Sequence, residues 1–223
     1  MGKSFTQLKT KVLKNKNIKT EYDGLVHENK ILSKLTTPQK VQTFLESIPF
    51  NFEKEGVTCM SAKTALVANK AHCIEGAFIA CAALLLQGRE ASIVSLKVKK
   101  PDDDHIIVFF KENGYFGALS KTNHPVLRYR DPVYKSVREL VMSYFHEYFL
   151  YSSGKKTLVG YTKPISMKRY GTDWITAEED VWDVGNAIYN TPVLSIVPLA
   201  NKRHLRDTTL FERTALNVQE WKE

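Results

Sequence analysis

Cysteine is scarce in this chain of 223 residues, with Cys59, Cys73 and Cys81 the whole supply. An odd count this low excludes a disulfide-stapled scaffold. Cys73 and Cys81 would lie about 12 Å apart along a helix, too far to bond. There is no Cys-x-x-Cys pair, and no histidine stands at zinc-ligand spacing from a loop cysteine, so neither metal nor cofactor is called for. Reduced thiols fit a cytoplasmic setting. No apolar run reaches the roughly 18 residues of a membrane span. The opening Met1-Gly-Lys-Ser-Phe-Thr-Gln-Leu-Lys9 lacks the apolar core of a secretory signal. Repeats and low-complexity tracts are missing as well.

Acidic residues are the other shortage, 24 against 32 Lys and Arg, for a net charge of +8. Residues 1–40 hold nine lysines against Glu21, Asp23 and Glu28, so they carry +6 of it. A solvated lysine-rich face accounts for this. Without an Arg-rich or aromatic-interleaved groove, a nucleic-acid partner is not expected. Residues 1–36 therefore read as a basic lead-in, 37–200 as one domain and 201–223 as a C-terminal helix or tail. The oligomeric state is left open.

What is present suffices for a real core, with 43% apolar and 25% charged residues. Thr37-Pro38 reads as an N-cap with proline at the first helical position, leading through Val41, Phe44, Leu45 and Ile48 to Pro49. Ser61 caps a short helix. Cys73 then opens an alanine-rich helix in which Ala77, Ala80, Cys81 and Leu84 follow on the same stripe. Small residues let a helix approach a sheet closely, and Gly88 closes it. Strands are expected from Ala91 to Val98, from His105 to Lys111 and from Tyr115 to Ser120, the last two joined by an Asn113-Gly114 hairpin turn. Short connections make the sheet antiparallel. Asp131-Pro132 reads as the start of a long helix through Val133, Leu140, Tyr144 and Tyr148. Residues 152–171 read as loop, Thr176 to Glu179 as a capping box, and Pro192 to Pro198 as a last extended segment.

A cysteine on a small-residue helix is ordinarily a buried hydrophobe. Two things lift Cys73 above that: helix-terminal N–H groups favour a thiolate there, and His105 opens the strongest strand. Cys81 lies two turns deeper and reads as inert core, and Cys59 has no evident partner. His72 adjoins Cys73, but consecutive helical residues point about 100° apart, which makes it a cleft-rim, substrate-binding candidate and not the base. The acid run Asp102–Asp104 is a solvated turn.

Together these segments resemble the transglutaminase-like superfamily of the papain-like cysteine protease fold. Lys70-Ala-His-Cys-Ile-Glu-Gly-Ala77 matches its cysteine segment, Asp104-His-Ile-Ile-Val108 its histidine strand, and Gly114-Tyr-Phe-Gly-Ala-Leu-Ser120 its third strand, so the resemblance covers roughly residues 40–125. It implies an α+β fold, with the cysteine helix packed on an antiparallel sheet and flanked by further helices. It also implies Cys73 as nucleophile and His105 as base for amide chemistry of protease, deamidase or transglutaminase type on a peptide or protein substrate. Ser120 stands where the family has an aspartate, and Asn123 and Asp131 are alternatives for that third position. Ala71 replaces the glycine usual two residues before the cysteine. A catalytically weak or inactive relative that binds a peptide or protein partner is the alternative. Arg128 and Arg130 alternate with Leu127 and Tyr129. They either bind a substrate carboxylate or phosphate, or pair with acids such as Asp131 and Glu139.

Overall fold

The computed structural model describes residues 30–223, so most of the basic 1–36 segment lies outside the described residues. Leu32 and Leu35 already join the buried core. The hydroxyl of Thr37 accepts the N–H of Lys40 at 3.2 Å and opens the helix Pro38–Ser47, which buries Val41 and Leu45. Ser61 does the same for Thr64 at 3.1 Å and opens Ala62–Ala68.

The helix Cys73–Leu86 follows, and every side chain from Ile74 to Leu85 is buried. A helix apolar on all sides belongs at the centre of a core. It packs on the second strand and is flanked by the two preceding helices. Gly88, at φ 72°, lets the chain turn back, with Arg89 N–H reaching the Leu84 carbonyl at 2.9 Å.

The strands β1 (Ser92–Val98), β2 (His105–Glu112) and β3 (Tyr115–Leu119) form a meander. Asn113 and Gly114 take φ 50° and 87°, the backbone a two-residue hairpin requires. The strands β4 (Arg130–Tyr134), β5 (Leu158–Thr162), β6 (Ile165–Ser166) and β7 (Val193–Ser195) complete a sheet of order β4-β3-β2-β1-β5-β7, with β6 also on β1. Every pairing is antiparallel. The period of two divides β2 cleanly. Ile106, Val108 and Phe110 join the core of the Cys73 helix, while Ile107 joins Leu140, Val141, Tyr144 and Tyr148 on the other face. The fold is α+β.

Three expectations fail. Asp131-Pro132 does not start a helix: both lie in β4, and the helix Val137–Met142 is capped by Ser136. Proline is tolerated because β4 is an edge strand paired only with β3. Residues 152–171 hold β5 and β6; β5 pairs with β1 near the middle of the sheet. Thr176 ends the short helix Asp173–Thr176, and the next helix runs Trp182–Tyr189. The C-terminal stretch is the helix Leu210–Leu216 followed by an irregular segment that bends at Glu220 and Trp221.

Candidate active site

Cys73 occupies the first helical position, with His72 as N-cap. The first turn is anchored by Glu75, which is fully buried. Its carboxylate accepts the His72 N–H at 2.9 Å, the Thr58 hydroxyl at 2.6 Å, the Asn51 amide at 3.1 Å and the Met60 N–H at 3.3 Å. His72 Nδ1 lies 2.9 Å from it, and Glu53 is 3.5 Å from Nε2. Burial opposes the Glu75 charge, but His72 and these hydrogen bonds overcome it and hold the carboxyl down at about 2. His72 is raised: burial works against it, and Glu75 then Glu53 outweigh burial. The His72–Glu75 pair thus fixes the turn that carries the thiol, and His72 also lines the cavity described below.

His105 begins β2 and is buried. Its Nε2 lies 2.5 Å from the hydroxyl of Ser120. The register explains the meeting. Val108 faces Leu119, so Ser120 continues opposite Ile107, one diagonal step from His105. Ser120 is itself clamped. Gln42 takes its N–H through Oε1 and its carbonyl through Nε2, both at 3.0 Å. Asn123 makes no such contact with His105, since its side chain is engaged with Trp221. Asp131 is exposed on β4. Among the three candidates for the orienting position, Ser120 alone bonds the ring.

Cys73 and His105 open on one cavity of about 820 Å³ together with Glu53, His72, Lys121, Asn123 and Tyr148. No hydrogen bond joins the Cys73 sulfur to the His105 ring among the described residues. The surroundings of the sulfur work against the expected thiolate. Burial pushes the Cys73 thiol up to about 11, against the backbone N–H groups of Ile106 and Ile74 that face the sulfur and favour the anion. Burial likewise pulls His105 down to about 4, aided by the charges of His124 and His72 and opposed by the Leu127 carbonyl. At neutral pH the pair is a thiol and a neutral imidazole.

The arginines are spoken for. Arg130 donates to Ser143 Oγ at 2.9 Å and to Glu147 at 2.6 Å, and it lies 4.0 Å over the Tyr144 ring. Its acid partner is thus neither Asp131 nor Glu139. Arg128 donates to the His124 carbonyl at 2.8 Å and to Glu220 at 2.7 Å. Leu127, just before Arg128, takes φ 62°, so the extended run does not reach back past Arg128. Cys81 and Cys59 are buried, Cys59 with its sulfur 3.7 Å from the Val181 carbonyl.

Sequence reasoning missed Gln42 and Lys121. Lys121 is 1% exposed, donates through Nζ to the Ile48 carbonyl, and is pushed down to about 8, chiefly by burial. A signal for it existed in Gly76. A Cβ there would overlap the Cβ of Lys121, so glycine lets the β3–β4 loop press against the first turn of the Cys73 helix. Among the described residues no group of three or more His, Cys, Asp and Glu is placed to hold a metal ion. None of their helices is long and apolar enough to cross a membrane. No protein-family model and no curated protein matches the chain.

Proposed function

We propose that this cavity performs thiol-dependent acyl chemistry on amide bonds, on a transglutaminase-like, papain-like arrangement of helix and sheet. One observation carries the reading. A thiol on the first turn of a buried helix and a serine-oriented histidine at the start of a strand open on the same cavity.

The neutral pair sets the chemistry. The sulfur attacks a carboxamide or peptide carbonyl while His105 takes the thiol proton, so the C–S bond and the imidazolium form together. The carbonyl electrons move onto oxygen. At the first helical position the Cys73 N–H has no intrahelical acceptor and is available to that oxyanion. Collapse expels the amine, which takes the proton back from His105 and leaves a thioester. Water then gives hydrolysis or deamidation, and an amine gives a cross-link. Ser120 holds the ring in one tautomer but adds no negative charge to steady the imidazolium, as a carboxylate would. Slow turnover follows.

That absent charge also favours a second reading, a peptide-binding protein of the same architecture with little or no turnover. One experiment separates them. A glutamine-containing peptide is incubated with hydroxylamine, and hydroxamate and released ammonia are measured for wild type, Cys73→Ala and His105→Ala. Turnover lost in both variants supports the enzyme. Turnover unchanged in Cys73→Ala overturns it. A bound peptide with no product in any of the three establishes the binding reading.

A further inference from the structure

Beyond the helix Leu210–Leu216 the chain turns back along the 121–128 loop. The Tyr151 hydroxyl donates to the Leu216 carbonyl at 2.9 Å, and Gln219 becomes part of the wall of the Cys73 cavity. Asn123 then grips two successive residues by their main chain. Its own carbonyl accepts the Glu220 N–H at 3.0 Å. Its side chain takes both polar groups of Trp221, accepting the N–H at 2.8 Å and donating to the carbonyl at 3.0 Å. Two side chains add selectivity. Arg128 lies 2.7 Å from the Glu220 carboxylate, and Lys121 Nζ stands 5.7 Å from the centre of the Trp221 ring.

These partners are about a hundred residues apart in sequence (the Asn123–Trp221 separation is 98), so no local turn brings them together. Main-chain hydrogen bonds plus side-chain pockets are the way proteins hold extended peptides. The gripping residues lie deeper than most of the gripped ones. Asn123 and Lys121 are buried, but Val218, Gln219 and Glu220 are exposed. The Trp221 indole N–H is buried without an acceptor, so the fit is incomplete.

We infer that Asn123, Arg128 and Lys121 form a peptide subsite beside the Cys73 cavity, selective for a segment with an acidic residue followed by a large aromatic one, and that residues 219–221 occupy it in cis until such a peptide displaces them. The inference names the substrate class of the proposed thiol site and rests on that reading. A tethered segment competes at an effective concentration in the millimolar range, so a free peptide meets an occupied subsite in the wild-type chain.

The probe is a fluorescein-labelled, N-acetylated copy of residues 216–223, read by anisotropy against the full chain. Full-length Trp221→Ala loosens the strap and binds the probe at least tenfold tighter than wild type does. Adding Asn123→Ala to that variant abolishes the gain. A probe with lysine and alanine in place of its Glu-Trp pair loses at least tenfold on the Trp221→Ala chain. Arg128→Gln, at a partly exposed position, guards against misfolding of the Asn123 variant. It weakens the Glu-containing probe by at least fivefold and leaves a Gln-containing probe unchanged. Equal affinity of wild type and Trp221→Ala, or equal affinity for both probes, overturns the inference. The thiol reading fails separately. Selective probe binding with no Cys73-dependent hydroxamate sinks that reading alone. Turnover without preference for the acidic–aromatic pair sinks the subsite alone.

Discussion

Alkylation of Cys73 by iodoacetamide, followed by peptide mass spectrometry across pH, tests whether the resting pair is neutral. Moving the thiol from its ordinary 9.0 up to about 11 cuts its thiolate fraction at neutral pH about a hundredfold. The more basic thiolate is intrinsically more nucleophilic; with a Brønsted slope of about 0.45 this returns roughly eightfold. Near pH 7 the reaction should therefore run about twelvefold slower than that of an exposed peptide thiol, before any obstruction by the cavity walls. The rate should climb about tenfold per pH unit to beyond pH 9 and level only near 11. His105, neutral throughout this range, contributes no charge, so His105→Ala should alter the rate by less than about threefold at any pH. A fast reaction levelling off between pH 5 and 7, lost in His105→Ala, would show a preformed thiolate–imidazolium pair. It would refute the account in which burial outweighs the backbone N–H groups around the sulfur.

The other perturbations concern the scaffold beneath the pair. Glu75 has its folded pKa lowered from 4.5 to about 2, so it adds stability on the order of 3 kcal/mol above pH 4.5 that fades as pH falls towards 2. Urea unfolding of wild type should show that slope, and Glu75→Gln should remove it while costing about 3–5 kcal/mol at neutral pH by leaving His72 without its carboxylate. Gly76→Ala forces a methyl group onto the Cβ of Lys121, not the flexible end of that side chain; a loss of about 1–3 kcal/mol in urea melts is expected, and an unchanged midpoint would mean the loop is not pressed there. Ser120→Ala leaves His105 Nε2 without its partner and should lower kcat at least about tenfold with KM little changed. Ser120→Asp should raise the His105 pKa and with it kcat at pH 7, at some expense in stability read by thermal melting.

The local signals were legible. Thr37 and Ser61 cap the helices their neighbours suggested, and Asn113-Gly114 turns the hairpin because both residues accept positive φ. The apolar run of β2 placed His105 at a strand start, and small residues placed Cys73 on a core helix. Signals that depend on the sheet were not legible. Asp131-Pro132 carries every mark of a helix start, and only an edge position makes it a strand. Leu158-Val-Gly-Tyr-Thr162 is short and sits among Lys, Gly and Ser, yet pairing with β1 fixes it. Nothing near Arg128 or Asn123 in sequence announces Glu220 or Trp221, because those contacts close across most of the chain. The burial that bears on the thiol was illegible for a related reason. Helix-end N–H groups can be seen in a sequence, but the burial that opposes them belongs to the assembled cavity.

The Cys73 helix, buried on every side from Ile74 to Leu85, divides the chain by evolvability. Its residues answer to neighbours in all directions, and few substitutions there would be neutral. Much of the cavity wall comes instead from segments 50–53, 100–104, 121–127 and 147–151 and from Gln219, none of which belongs to a named strand or to that helix. Descendants of this scaffold can therefore exchange ligands by rewriting those segments, insertions included. The sulfur would keep its place through such drift, and comparison of relatives should find sequence change concentrated at the rim and nearly absent along the spine.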